Sequence, residues 1–270
     1  MDDDLIYDVG VHTGEDTDYY LRKGFRVVGV EANPGLVVAL KERFAGDIDD
    51  RRLTLVDKAI GASRGVVDFY VNRYVSEWGT TDHDWMSRDA KVGAPSDVVR
   101  VPTVSLGELL DSFGVPRYMK IDIEGADRLC LRELARRADA PRYVSVESHA
   151  WDYEETLEDL EILGAAGYRK FKVIAQHTID RQVCPRPAKE GRYVRHDFPP
   201  GASGLFGEEL PGTWMTLEMA KRRYRTLYAR VRMVGRHNGV LRFVTNRYLV
   251  AALARLFPGG TGWFDTHATF

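Results

Sequence analysis

The sequence predicts an α/β fold: a mainly parallel twisted sheet with helices on both faces and a C-terminal helical extension. Three observations carry that reading. Between Leu5 and Val173 short β-branched runs alternate with longer amphipathic stretches, the pattern of repeated strand–helix units. From Gln176 to Trp214 the chain is rich in Pro and Gly and periodicity fades. From Leu217 a helical period returns, with Leu217, Ala220, Tyr224, Leu227 and Tyr228 on one face.

In chain order, the strands are expected at LIYDVGV (5–11), FRVVGVE (25–31), RLTLVD (52–57), RYMKID (117–122), RYVSVES (142–148) and YRKFKVI (168–174). Helices are expected over Asp16–Lys23, Pro34–Phe44, Ala126–Arg137 and Tyr153–Ala166, and Pro34 suits a first helical turn because its missing N–H has no partner to lose there. An additional strand pair, GVVDFYVN (65–72) and DVVRVPTV (97–104), flanks a polar stretch that reads as a loop over the site. The organisation that follows is a core over 1–175, a lid or substrate segment over 176–216, and a basic helical extension over 217–270 formed by two helices broken near Gly235–Gly239.

The chain has 270 residues, 44% hydrophobic and 29% charged, which is ordinary for a folded domain with a sizeable core. No apolar run is long enough to span a membrane. The acidic start, Met1–Asp4, lacks the pattern of a secretory signal, so a cytoplasmic location is expected. Cys130 and Cys184 are the only cysteines, and their separation suggests neither a disulfide framework nor a metal site. The net charge of −2 hides ten Lys or Arg against one acid, Glu218, from Leu217 to Phe257. Those basic residues follow the polar helical face without interleaved aromatic platforms, so a solvated face is expected and no nucleic acid partner. The apolar faces of the two terminal helices suggest a homodimer.

The segment Tyr7-Asp8-Val9-Gly10-Val11-His12-Thr13-Gly14-Glu15 ends a strand and opens a helix. Its spacing is DxGxxxG. A dinucleotide site places three glycines as GxGxxG so that the backbone can approach a pyrophosphate, and that requirement is not met here. S-adenosyl-L-methionine carries no phosphate. Asp8 would place negative charge near its ammonium, with His12 in the same loop, while Gly10 and Gly14 would allow close backbone approach. Glu31, ending the second strand about twenty residues further on, suits a ribose diol in either kind of cofactor. A nicotinamide oxidoreductase is therefore a competing reading.

These passages resemble the FkbM family of methyltransferases. DVGVHTGEDT is similar to that family's first-loop signature, VVGVEANP to its second motif, and DKAIGASRGVVDFYV and SLGELLDSFGVPRYMKIDIEGADRLCLREL to two later passages. His12 stands where the family usually has Asn, Val11 where it has Ala, and Asp127 where it often has Glu. The resemblance implies a Rossmann-like class I methyltransferase fold. It also implies Asp57 and Ala59 beside the adenine, and methylation of a hydroxyl on a sugar or specialised metabolite, so the partner is a small-molecule or glycan acceptor. N-methylation, and a non-catalytic scaffold with the same fold, are the alternatives.

An aliphatic hydroxyl is a poor nucleophile at neutral pH, so O-methylation calls for a base beside the acceptor. Ligands of open α/β sheets sit beyond the carboxyl ends of the strands. There the sequence offers Lys120, Asp122 and Glu124 in YMKIDIEGAD, and Glu147 and His149 in VESHAW, with His83 as a weaker rival. Asp122 is expected at the methionyl end or acceptor, its alternative role being to cap the helix starting near Ala126. His149 is attractive as a base because imidazole titrates near neutrality. No metal is expected.

Overall fold

The computed structural model describes residues 1–74, 79–83, 86–87, 94–148, 152–234 and 263–270, with backbone alone over 231–234. His149 and the expected second terminal helix lie outside the described residues.

Seven strands form one sheet in the order β3-β2-β1-β7-β8-β10-β9: β1 (Asp2–Val9), β2 (Arg26–Val30), β3 (Leu53–Val56), β7 (Pro116–Ile121), β8 (Tyr143–Ser148), β9 (Lys170–Ala175) and β10 (Phe264–Thr269). β1, β2, β3, β7 and β8 run parallel, and β10 is antiparallel to both its neighbours. The fold is a Rossmann-like α/β fold. In β1 every residue from Leu5 to Val9 is buried, as expected of a strand covered on both faces. A smaller sheet of β4 (Ala59–Ile60), β5 (Gly65–Asn72) and β6 (Ser96–Val104), ordered β4-β6-β5, is inserted after β3.

Helices α1 (Glu15–Arg22), α2 (Pro34–Arg43), α3 (Ala45–Asp49), α4 (Leu106–Phe113), α5 (Asp127–Arg136), α6 (Tyr153–Ala165) and α7 (Leu217–Val234) connect or flank the strands. Asn33 caps α2 by accepting the Gly35 N–H at 3.0 Å, ahead of Pro34 in the first turn. α4 was not among the expected helices. Ser105 and Glu108 begin it with a reciprocal capping box, a signal that the sequence did carry.

Two features bear on the expected organisation. The 176–216 segment, expected as a lid or substrate segment, contributes a packed layer: Phe198, Leu205, Phe206 and Leu210 are buried with Tyr19, Tyr20 and Tyr118 against one face of the sheet. Phe206 stacks on Tyr118 with ring centroids 4.6 Å apart, and Lys23, at the C-cap of α1, forms a buried ion pair with Glu209 at 2.9 Å. The end of the expected helical extension is also not helical, since Phe264–Thr269 enters the sheet between β8 and β9. The apolar face of α7, from which a dimer contact was expected, is spent internally, because Ala220, Tyr224, Leu227 and Tyr228 belong to the core on the opposite face of the sheet. No helix among the described residues is long and apolar enough to cross a membrane.

Candidate active site

The chain builds outward from β1 through β2 to β3, then returns to place β7 on the other side of β1. That reversal opens a crevice at the carboxyl ends of β1 and β7. Val9 pairs with Ile121 across the two strands, so Gly10 and Asp122 leave the sheet side by side. A cleft of about 340 Å³ lies there, within the range of small-molecule sites.

One end of the cleft is built by Glu31 at the end of β2. Its Oε2 accepts the His12 N–H at 2.9 Å and its Oε1 accepts the Asn33 N–H at 2.7 Å. Burial raises the Glu31 carboxyl above its ordinary value, opposed by those two backbone donors. Leu36, Ala59, Ile60 and Phe69 form an apolar wall beside it. His12, with φ of 54°, turns its ring to Glu15, Nδ1 to Oε1 at 3.3 Å. Burial alone would raise Glu15, but hydrogen bonds from His12 and Thr13 hold it down at about 2.

The centre of the cleft holds Lys120, buried in the wall, whose Nζ donates to the Gly10 carbonyl at 3.0 Å. Three carboxylates surround it: Asp122 at 3.3 Å, Asp8 at 3.4 Å and Asp16 at 3.6 Å. Desolvation would lower the Lys120 ammonium, yet those acids together hold it well above its ordinary value. Burial pushes Asp16 up to about 6, with Lys120 opposing, and both of its oxygens accept the Ser203 N–H at 3.0 Å.

The far end is acidic. Asp122 and Glu124 follow β7, and Glu147 near the end of β8 is half-buried beside them. Asp122 does not cap α5. No side chain caps α5; Asp127, its first residue, instead reaches back into the preceding turn, accepting from the Ile123 N–H at 3.1 Å and the Gly125 N–H at 3.3 Å. Asp122 is thereby left facing Lys120 and the cleft.

The structure brings Gly10, His12, Glu31, Ala59, Lys120, Asp122, Glu124 and Glu147 to the cleft wall. It does not bring four expected residues there. Asp8 is fully buried one layer behind, its Oδ2 accepting from Thr17 Oγ1 at 2.6 Å, so its charge meets the cleft only through Lys120. Gly14 serves packing: it has φ of 91°, and a Cβ there would lie 2.5 Å from the Phe44 ring. Asp57 faces outward and pairs with Lys41 at 3.2 Å. His83 is exposed, with its ring against Tyr70. Asp16, Lys58, Gln176 and Trp263 line the cleft without having been singled out. Asp16 follows the Gly14 turn by two residues, a signal that an acid opening a helix at a cofactor loop could have given.

A family model described as the methyltransferase FkbM domain matches residues 8–170, which runs from Asp8 through every strand end of this cleft except that of β9. The chain belongs to the FkbM methyltransferase family. Among curated proteins none matches it. Among solved structures, this FkbM-family chain is similar to a precorrin-6y C5,15-methyltransferase from Geobacter metallireducens GS-15, at 14% identity and a TM-score of 0.39 over 65% of this chain and 68% of that one. It is also similar to an FkbM methyltransferase from Methylobacillus flagellatus KT, at 17% identity and a TM-score of 0.41 over 63% of this chain and 39% of that one. A third similar structure is the [4+2]-cyclase SpnF, at 10% identity and a TM-score of 0.36 over 98% of this chain and 73% of that one. Among the described residues of the FkbM-family chain, no group of three or more His, Cys, Asp or Glu is arranged to hold a metal ion.

Proposed function

We propose that the chain is an S-adenosylmethionine-dependent methyltransferase acting on a hydroxyl of a small-molecule or glycan acceptor. The observation that carries the reading is the Glu31 carboxylate, whose oxygens are fixed by the His12 and Asn33 N–H groups at one end of a cleft whose middle is lined by Asp16 and Asp122. The residues present fit that cofactor. A carboxylate so held keeps lone pairs for a ribose diol, the Ala59, Ile60 and Phe69 wall suits an adenine, and the acids around Lys120 suit an ammonium. Gly10 leaves the backbone bare beside Asp122, where a Cβ would meet the Asp122 carbonyl at 1.8 Å.

When bound, S-adenosylmethionine supplies an electrophilic methyl carbon on a sulfonium. The chain's own contribution is then to orient the acceptor and hold its proton. Glu147 is the base of this reading, since burial and the neighbouring Asp122 and Glu124 raise it well above an ordinary carboxylate, which makes it a stronger proton acceptor. The same acidic wall would attract an amine in its ammonium form. Titration calorimetry of the full chain with S-adenosylmethionine, followed by transfer of labelled methyl to a panel of hydroxylated metabolites, glycans and amines, tests the reading. Binding with label on a hydroxyl is the expected result, label on nitrogen alone would favour the amine acceptor, and absence of binding would overturn the proposal.

A further inference from the structure

Gln176 and Asp265 both lie beyond the 8–170 match, yet the fold carries them to the acceptor end of the cleft. β10 lies antiparallel to β8 and sets Asp265 directly opposite Glu147; on its other side Asp265 is opposite Ile174 of β9. Gln176 follows β9 and lines the cleft, and its backbone N–H donates to the Trp263 carbonyl at 3.0 Å, which ties the entrance of β10 to the exit of β9. The Gln176 side-chain Nε2 reaches two acids, Asp265 Oδ1 at 3.0 Å and Glu147 Oε1 at 3.4 Å. A carboxamide nitrogen carries two hydrogens, so one amide serves both carboxylates. Asp265 is 3% exposed, and its Oδ2 is buried without a hydrogen-bond partner. A buried orphan oxygen on an interior strand of a sheet is unfavourable for stability and calls for a physical reason.

We propose that Asp265, acting through Gln176, is a positioning residue that orients Glu147 toward the acceptor hydroxyl, so that the C-terminal strand is part of the catalytic apparatus. The inference rests on Glu147 being the base. In the step concerned the acceptor O–H bond breaks and its proton passes to a Glu147 oxygen, while the acceptor oxygen's freed electron pair forms the bond to the methyl carbon as the methyl–sulfur bond breaks, its electron pair staying on the sulfur; water then takes the proton from Glu147. Glu147 faces Asp122, Glu124, Asp265 and Asp127, all acids. Asp265 faces Gln176, Asp122 and Asp16, with Lys120 as the opposing cation, and burial pushes it up to about 7. Two acids this close titrate as a pair, and the second proton is harder to remove than the first. The reaction needs Glu147 ionised, so the rate falls as pH drops through its raised value. A neutral side chain at 265 removes a like charge and lowers Glu147 toward the ordinary carboxylate range.

The test uses the full chain with its Asp and Glu side-chain carboxyls labelled with carbon-13 and titrated by NMR, the Glu147 signal being the one lost in E147Q. Asp265→Asn is expected to lower the Glu147 midpoint by about one unit, a tenfold change, while calorimetric binding of S-adenosylmethionine persists. Gln176→Leu leaves β10 unaltered and removes a donor to the ionised form, so the midpoint is expected to rise. It also serves where the Asp265 variant does not fold. A Glu147 midpoint unmoved by either substitution in folded protein overturns the inference, even if E147Q has lost methyl transfer. Full methyl transfer by E147Q overturns the underlying assignment of the base, whatever the titrations show.

Discussion

The Glu31 carboxylate accepts the His12 N–H at 2.9 Å, which fastens the end of β2 to the loop that leaves β1. His12 sits at φ of 54°, a region sparsely used by residues other than glycine, and this hydrogen bond helps hold it there. Glu31 therefore shapes the loop and offers oxygens to a ligand at once. Glu31→Ala should weaken S-adenosylmethionine binding by about 1.5 to 3 kcal/mol, the scale of hydrogen bonds to a charged group. Calorimetry reads this directly, and affinity equal to that of the parent chain would remove Glu31 from the site. Glu31 must be ionised to accept both backbone donors, so affinity in the parent chain should also fall as pH drops through its raised value.

Gly10 and Gly46 make a matched pair of substitutions with opposite expected outcomes. Gly10 has φ of +92°, and an added Cβ would come within 1.8 Å of the Asp122 carbonyl oxygen, a backbone atom fixed by the sheet. Gly10→Ala should lose cofactor binding and lower stability by more than the roughly 1 to 2 kcal/mol of left-handed strain alone. Gly46, inside α3, has nothing within 4 Å of an added Cβ. Gly46→Ala should raise stability by about 0.4 to 1 kcal/mol by narrowing the unfolded ensemble. Urea denaturation of both variants checks the contrast.

Most of the sheet was readable because β1, β2, β7 and β8 are largely buried and so appear as short runs dominated by apolar and aromatic residues. β10 was not readable. Its sequence, Phe-Asp-Thr-His-Ala-Thr, is mostly polar, yet all six residues are buried. Their partners come from elsewhere in the chain: Thr266 Oγ1 lies 2.7 Å from the Tyr224 hydroxyl and 3.0 Å from Ser148 Oγ, and Asp265 accepts from Gln176. Hydrophobic periodicity cannot register a strand whose polar side chains find partners 42 to 118 positions away. The same reason separates Asp8 from Asp16. Spacing placed both acids near the glycine loop, but only the packing of Thr17 against Asp8 and of Ser203 against Asp16 determines which one meets the cleft.

Among the described residues Lys120 is the cation set among Asp8, Asp16 and Asp122, and replacing it by Met should leave two buried acids without that counter-charge. Breaking such a pair from one side costs about 3 to 5 kcal/mol. The deficit should depend on pH with a definite sign. Asp8 and Asp16 already titrate above their unfolded values, so the folded chain holds their protons more tightly and the stability they contribute is lost as pH rises. Without Lys120 both rise further, and the loss extends to higher pH. Urea denaturation of Lys120→Met should therefore show a larger deficit at pH 8 than at pH 5, and an equal deficit at the two values would contradict the charge arrangement.

Asp265 and His267, two residues apart on β10, should oppose each other in the acid range. Burial, with Lys172 adding to it, lowers the His267 imidazole from 6.5 to about 3, and its Nε2 is buried without a hydrogen-bond partner. The unfolded chain then binds a proton at His267 that the folded chain refuses. Stability from this group is thus lost as pH falls below about 6.5, at about 1.4 kcal/mol per pH unit. Asp265 is raised from 3.8 to about 7, so in the overlapping window the folded chain holds a proton that the unfolded chain releases, and stability from this group grows as pH falls. Between about pH 4 and 6.5 the two slopes nearly cancel in the parent chain. His267→Gln removes one of them, and its stability measured against urea should increase on acidification across that window relative to the parent. Asp265→Asn removes the other and should show the reverse. Parallel pH profiles for both variants and the parent chain would mean that neither side chain titrates away from its ordinary value, and the buried polar strand would then require a different electrostatic account.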